Sequence, residues 1–376
     1  MKQRIFFLFV IACLSSCSKK VEQTEYITIG VLLPLTSESF YDGLYVLNGL
    51  YIAKSEINEN GGILGKKLDL IALNDRGDEH YIVQQYNALK EKGVVAIIGS
   101  SFSNVTMALA KEAEKDGIPV ISPTASNPAV TMGRKNIFRA IFTDVYQAEI
   151  MAKFARNSMN AKTAIVMYNS SNDSHKKATE VFSEIFTDKG GKVIGVEPYL
   201  SENNYEDILK KYIANPPDVI YCPNYHAPAA ELLNTVFKLG LKNTYLLGSD
   251  AWSGILDHVF NPKAREKVFY TTSFSFNYKD SVTEKFVKNY FSTFSKMPLT
   301  GSANAYTCIY ILSEAIKKAG NTNSDDIVSA MKKNELNTII GHIKFDENNN
   351  PHPNIHIVQI KDGVYTTYKR LAYGDL

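Results

Sequence analysis

From residue 27 onward, short apolar runs alternate with amphipathic stretches, and the alternation runs through twice. ITIGVLLPL, starting at Ile27, is short and β-branched and reads as a buried strand. Residues 42–58 follow with Leu44, Leu47, Leu50, Ile52 and Ile57 at helical spacing, and Asn60-Gly61-Gly62 stops them. LDLIAL, VVAIIG and PVISP read as further strands, separated by the helical stretches HYIVQQYNALKEK and NVTMALAKEAEKD. The pattern restarts with TAIVMY, then KVIGVEPY, DVIYCP and TYLLGSD, again with helices between them. Continuous apolar strands separated by amphipathic helices predict parallel sheets covered on both faces, an α/β fold. Two such units follow one another.

Helical stretches at 282–294, 303–319 and 325–332 come next, and the short strands HIKFD, HIVQI and GVYTTY close the chain. The last two pair across the Asp362-Gly363 turn. These late elements need a sheet to cover. The chain is therefore expected to cross back to the first unit near 274–280 and to return near 346–353. One lobe then comprises 27–143 plus 275–347, and the other 144–274 plus 348–376.

The beginning of the chain speaks to compartment. Lys2 and Arg4 precede an unbroken apolar run at residues 5–14 (IFFLFVIACL), which ends in Leu14-Ser15-Ser16-Cys17. A bilayer span needs about 20 apolar residues, so this run reads as a secretory signal. LSSC resembles the lipobox of bacterial lipoproteins, which implies a signal of residues 1–16, a lipidated Cys17 and a polar tether over 17–26. An ordinary signal with an incidental cysteine is the alternative. Removing 16 residues from 376 leaves 360, enough for two domains. The net charge of +2 and the lack of a basic stripe argue against nucleic acid. Of the other cysteines, Cys222 and Cys308 sit in apolar segments and read as buried thiols, a disulfide between them being the alternative. No Cys/His cluster suggests a metal, and no cofactor is expected.

Ligands of open α/β sheets bind beyond the carboxyl ends of the strands. That rule selects the loops 100–103, 124–127, 223–226 and 249–252, two from each unit. In the first, which includes Phe102, Ser103 stands just ahead of a helix. It either caps that helix or, with the helix N-terminus, receives a carboxylate. Thr124, Ala125 and Ser126 either form a turn between two prolines or offer hydroxyls and amides nearby. Asp250 caps a turn or faces a ligand cation, on which Tyr225 can stack. Trp252, the only tryptophan, packs in a core or walls a cleft. Asp75 and Asp78 in NDRGDEH read as turn formers. GGILGKK fails the phosphate-loop spacing, and no Ser/His/Asp grouping marks an enzyme.

Together, IGVLLPLTS, VLNGLYIAKSEINENGGILGKKL, NDRGD, VVAIIGSSFSNVT, GIPVISPTASNPAVT, IFRAIFTD and LLGSDAW resemble the leucine/isoleucine/valine-binding family of type I periplasmic binding proteins. The resemblance runs from Ile27 to about Asp362. It implies two Rossmann-like lobes joined by a three-crossover hinge, closing on a small solute for an ABC permease complex. It also implies that Ser103 and Ser126 hold an α-carboxylate, with Thr124 and Ala125 offering backbone contacts. Tyr225 and Asp250 then hold the α-ammonium. Ser126 stands where the family has threonine, and Asp250 where some members have glutamate. SSNDSHKKA places Ser174 or His175 where an aromatic-glycine step is common. TSESFYDG departs from the usual first loop and brings Phe40 and Tyr41 toward the cleft. A monomeric binding lipoprotein for an amino acid or analogue is the resulting expectation. A ligand-sensing module, or a binder of an amide or a carboxylic acid, is the alternative.

Overall fold

The computed structural model describes residues 25–36 and 40–372; the signal segment and Cys17 lie outside them. The first unit runs β1 (Tyr26–Leu33), α1 (Phe40–Glu59), β2 (Lys67–Asn74), α2 (Tyr81–Glu91), β3 (Ala96–Gly99), α3 (Ser103–Asp116), β4 (Val120–Ser122) and β5 (Ile137–Arg139). Its five strands form a parallel sheet in the order β2-β1-β3-β4-β5. Every residue of β3 and β4 is buried, as the uninterrupted apolar runs require.

The second unit begins with α4 (Asp144–Asn157), whose first turn is capped by the Thr143 hydroxyl accepting from the Tyr146 amide. It continues through β6 (Thr163–Asn169), α5 (Asp173–Asp188), β7 (Lys192–Tyr199), α6 (Tyr205–Lys210), β8 (Val219–Tyr221), α7 (His226–Lys238), β9 (Tyr245–Gly248) and β10 (Val268–Thr272). The chain then returns to the first sheet as α8 (Ser281–Phe294), α9 (Thr300–Ala319) and α10 (Ser324–Lys333). A small antiparallel pair follows, β11 (Glu335–Thr338) with β12 (Gly341–Lys344). Finally β13 (Ile355–Lys361) and β14 (Val364–Leu371) add antiparallel strands to the second sheet, whose order is β14-β13-β10-β9-β8-β6-β7.

Three segments thus pass between the sheets, at 140–143, 273–280 and 345–354. The late helices cover the first sheet: Cys308, Ile309, Leu312 and Ile316 of α9 share a core with Ile29 and Val31 of β1 and Leu50 of α1. The α1–α9 crossing is close because Gly49 meets the Ser302 backbone. A Cβ there would lie 2.0 Å from the Ser302 carbonyl oxygen. Cys222 and Cys308 are both free and lie in separate cores, which rules out the disulfide. Among the described residues, no helix is long and apolar enough to cross a membrane, and no cluster of His, Cys, Asp and Glu is arranged to hold a metal ion.

Candidate ligand-binding cleft

A cavity of about 560 Å³ lies between the two lobes at the carboxyl ends of their strands. The lobes are closed on one another around it. Phe102 of the first meets Tyr225 of the second edge to face, ring centroids 5.9 Å apart, and the Thr300 amide donates to the Ser253 hydroxyl at 3.3 Å.

The first-lobe wall is built from hydroxyls and a helix end. β3 stops at Gly99, three residues turn, and α3 starts at Ser103, so its N-terminus opens onto the cavity. The residue preceding that helix is Phe102, which has no side-chain acceptor, so the first-turn amides lack a side-chain cap. These amides carry the positive end of the helix dipole. The Ser103 hydroxyl, rather than capping, accepts from the Asn127 amide at 3.2 Å and ties the two loops together. Thr124 donates to the Ser101 carbonyl at 2.9 Å, and both Thr124 and Ser126 line the cavity. Ser101 also lines it; the residue is 9 % exposed, and its hydroxyl is buried without a partner among the described residues.

Behind the 124–128 turn stands Arg139, fully buried at the end of β5. Its guanidinium donates to the carbonyls of Ala125 (2.9 Å), Asn127 (2.8 Å) and Pro128 (3.2 Å) and to the Thr131 hydroxyl (2.9 Å). Burial draws its pKa down to about 10, still charged at neutral pH.

The second-lobe wall is acidic. Asp250 and Trp252 occupy one 3-10 turn after β9, and the turn sends them in opposite directions. Asp250 lines the cavity. Its carboxylate accepts from the Gln147 amide nitrogen at 2.6 Å, and its own backbone amide donates to the Gln147 oxygen at 2.8 Å. Thr271 donates to that same oxygen at 2.8 Å, fixing which way the Gln147 amide faces. Asp144, at the start of α4, lines the same wall and accepts from the Ser174 hydroxyl. Burial, and then the neighbouring Asp144 carboxylate, push the Asp250 carboxyl up to about 7, against the hydrogen bond from Gln147. Tyr225 stands between Phe102 and His175, whose ring centroid lies 5.6 Å away. Tyr225 keeps 41 % of its surface exposed; the crowding of its phenol in the cleft and the carboxylates of Asp144, Asp42 and Asp250 hold that phenol above the usual tyrosine value. Burial lowers His175 to about 4, so its ring is neutral.

Three expected residues fall elsewhere. Trp252 points into the second-lobe core, fully buried, its indole N–H donating to Asn224 at 2.8 Å; the absent side chain of Gly248 leaves room for its ring. Tyr41 lies outside this cavity, in an adjoining one of about 970 Å³, with the Lys296 ammonium 5.5 Å from its ring centroid. Ala125 is 1 % exposed and both its backbone groups are engaged, the amide with Ser122 and the carbonyl with Arg139, leaving neither for a ligand. Asp75 and Asp78 are turn acceptors, binding the Gly77 amide at 2.8 Å and the Tyr81 amide at 2.6 Å.

The sequence reading did not single out Asp144, Gln147, Arg139 or Asp42. Asp144 and Arg139 stand within IFRAIFTD, so their motif was noticed while their roles were not. Asp42 keeps 36 % of its side chain exposed with the His226 Nδ1 at 3.8 Å, and partial burial raises its carboxyl to about 6, with His258 drawing it back. Among the described residues, the cavity is lined by five carboxylates, Asp42, Glu79, Asp144, Asp173 and Asp250, and by no Lys or Arg.

Known proteins share this fold. The Leu/Ile/Val-binding protein BraC3 of Rhizobium johnstonii is 26 % identical over 329 residues, covering 85 % of this chain and 88 % of its own. A leucine-binding protein of Thermotoga maritima superimposes with a TM-score of 0.84 at 27 % identity, over 93 % of this chain and 100 % of its own. The substrate-binding protein LivJ of Streptococcus pneumoniae, solved with isoleucine, shares the fold at 22 % identity and a TM-score of 0.85, over 92 % of this chain and 99 % of that one. A solute-binding protein from R. palustris, solved with benzoate, does so at 18 % identity and 0.82, over 93 % and 99 %. The family model for periplasmic binding proteins matches residues 26–364. The chain belongs to that family, extracytoplasmic proteins that bind solutes and catalyse nothing.

Proposed function

We propose that the cleft captures an α-amino acid by its head group and that the loaded protein delivers it to an ABC importer. The observation that carries this reading is the opposed chemistry of the two walls. One offers the α3 N-terminus with the hydroxyls of Ser103 and Ser126, suited to a carboxylate. The other offers Asp250, Asp144 and the phenol of Tyr225, suited to an ammonium. A zwitterion bridges both and so holds the lobes together. The names of the relatives, several of them Leu/Ile/Val-binding proteins, support an amino-acid ligand. Mass spectrometry of small molecules released from the purified protein tests it directly: a ligand without an amine would refute the head-group reading.

Closure is the expected response to ligand. The lobes, 27–143 with 275–347 and 144–274 with 348–376, hinge at the three crossing segments and remove the head group from water. That strengthens each polar contact. Small-angle scattering should report a more compact particle at saturating ligand, and an identical profile would count against the hinge.

The anchor is Cys17. Wild type should partition with membranes, and Cys17→Ala should be released to the soluble fraction. One acyl chain alone anchors weakly, so stable anchoring takes more than one signal. Equal partitioning of the two proteins would sink the lipoprotein reading.

A further inference from the structure

The carboxylate assigned above to the ligand's ammonium has little of its own to keep it in place. Asp250 stands in a three-residue 3-10 turn, outside any strand or longer helix. It is buried, and Asp144 brings a like charge to the same wall. A carboxylate in such surroundings tends to take up a proton or to turn away from its neighbour, and either change removes the counter-ion that an ammonium needs.

Three hydrogen bonds oppose both changes, and all three meet at Gln147. Its side-chain nitrogen donates to the Asp250 carboxylate at 2.6 Å, and its oxygen accepts from the Asp250 backbone amide and from the Thr271 hydroxyl, each at 2.8 Å. Two donors aimed at the oxygen leave only the nitrogen to face the carboxylate. One side chain thus grips Asp250 by its backbone and by its carboxylate together. Gln147 is 1 % exposed, Thr271 is fully buried, and Gln147 is not among the described residues that line the cavity. The grip is anchored in the frame of the second lobe. The Gln147 backbone amide donates to the Thr143 carbonyl at 3.1 Å, and Thr271 is the penultimate residue of β10. These places adjoin the crossing segments 140–143 and 273–280, so the carboxylate takes its position from the hinge side of the lobe rather than from the turn that carries it.

Resting on the amino-acid reading above, we propose that Gln147 is a positioning residue for binding: from behind the cavity wall it holds the Asp250 carboxylate aimed into the cleft to meet the ammonium. The same donor also draws the Asp250 carboxyl down, against burial and Asp144, so its loss should raise that carboxyl beyond about 7. The other titratable groups that face Asp250 are Asp144 of α4, Tyr221 of β8 and Tyr225 ahead of α7.

Calorimetry on wild type, Gln147→Met, Asp250→Asn and the double variant decides the matter, from about pH 5.5 to about 8.5, where the phenols stay protonated. The titrant is whichever of the protein amino acids raises the wild-type melting temperature most. Methionine matches the length of glutamine and makes none of the three contacts. At neutral pH Gln147→Met should bind at least about ten-fold more weakly than wild type, the loss of one charge-assisted hydrogen bond. The pH below which affinity falls should also move upward. In the Asp250→Asn background the same change should cost less than about three-fold, because the charge it positions is gone. Gln147→Met binding like wild type while Asp250→Asn loses affinity would overturn the inference and leave the head-group reading standing. Equal losses in the two backgrounds, or an unmoved pH profile, would make Gln147 a support of the fold only and overturn it equally. Asp250→Asn binding like wild type, or no amino acid binding at all, would overturn the head-group reading and this inference with it. Should Gln147→Met fail to fold, Thr271→Val carries the test. It removes one of the two donors that orient the amide, and it should weaken binding and move the pH profile in the same direction; an unmoved profile would overturn the proposal.

Discussion

Replacing Asp250 by asparagine is expected to move affinity and stability in opposite directions. In the ligand complex the carboxylate faces an ammonium, and a charge-assisted hydrogen bond contributes about 1.5–3 kcal/mol. An ammonium left buried and unpaired costs about 3–5 kcal/mol. At about 1.4 kcal/mol per ten-fold, affinity should fall between ten-fold and a few thousand-fold. In the empty protein the same carboxylate is a burden. Its carboxyl rises from 3.8 to about 7 because burial and Asp144 disfavour the charge. The folded state therefore binds this proton more tightly than the unfolded state does. The sign follows: stability from this group falls as pH rises from about 4 to about 7 and is flat beyond, a loss on the order of 4 kcal/mol at most. Asp250→Asn, which keeps an oxygen for the Gln147 donor, should melt higher than wild type at pH 8 and equally at pH 4. Wild-type affinity should also drop by up to ten-fold per unit as pH falls below 7, since binding requires the ionised form. Thermal melts of ligand-free protein at the two pH values, with calorimetry on the identified ligand, check both halves. A variant that binds like wild type would mean that the ammonium is held elsewhere.

Arg139 should prove the most sensitive position behind the first-lobe wall. Its four acceptors span residues 125–131, the turn that carries Ser126. Arg139→Met fills much of the volume and abandons all four, leaving buried carbonyls without donors. Each unsatisfied group costs about 1–3 kcal/mol, partly relieved by relaxation, so the variant should lose about 3–5 kcal/mol in a denaturant melt. Affinity should fall ten-fold or more, because Thr124 and Ser126 lose their fixed positions. Arg139→Lys should not rescue either measurement, since one ammonium cannot reach donors' positions spread across a planar fork. Unchanged melting of Arg139→Met would show that the turn holds its own shape.

Much of this architecture could be read from residue types alone, and the exceptions have physical causes. The strands from Ile27 to Gly248 announce themselves because parallel strands covered on both faces must be apolar throughout. β5 is only three residues long, and α4 buries Gln147, Ala148, Ile150, Met151, Ala152, Phe154 and Ala155, leaving no amphipathic stripe to detect. The rule that ligands gather beyond strand ends located Phe102, Ser103, Thr124, Ser126, Tyr225 and Asp250 beside one cavity. It could not say which neighbour in a tight turn faces outward, and so Trp252 and Ala125 were placed in the wrong direction. Asp42 escaped notice because its neighbours in the cavity wall, His226 and Leu299, stand roughly 185 and 255 residues away in the chain.

The close crossing of α1 and α9 also bears on when the protein can fold. Glu56 of α1 accepts from the hydroxyls of Tyr306 and Tyr310 at 2.5 and 2.8 Å, contacts that span 250 and 254 positions. Helix α1 ends at Glu59 and α9 at Ala319, 260 residues later. At about 5–20 residues per second, translation leaves α1 without its partner for roughly 13–52 seconds. Through that interval the first lobe has no complete core, and its apolar helix faces remain unburied. A chain bound for the far side of a membrane is thereby kept threadable while it is being made, its native topology completing only after the bulk of it has emerged.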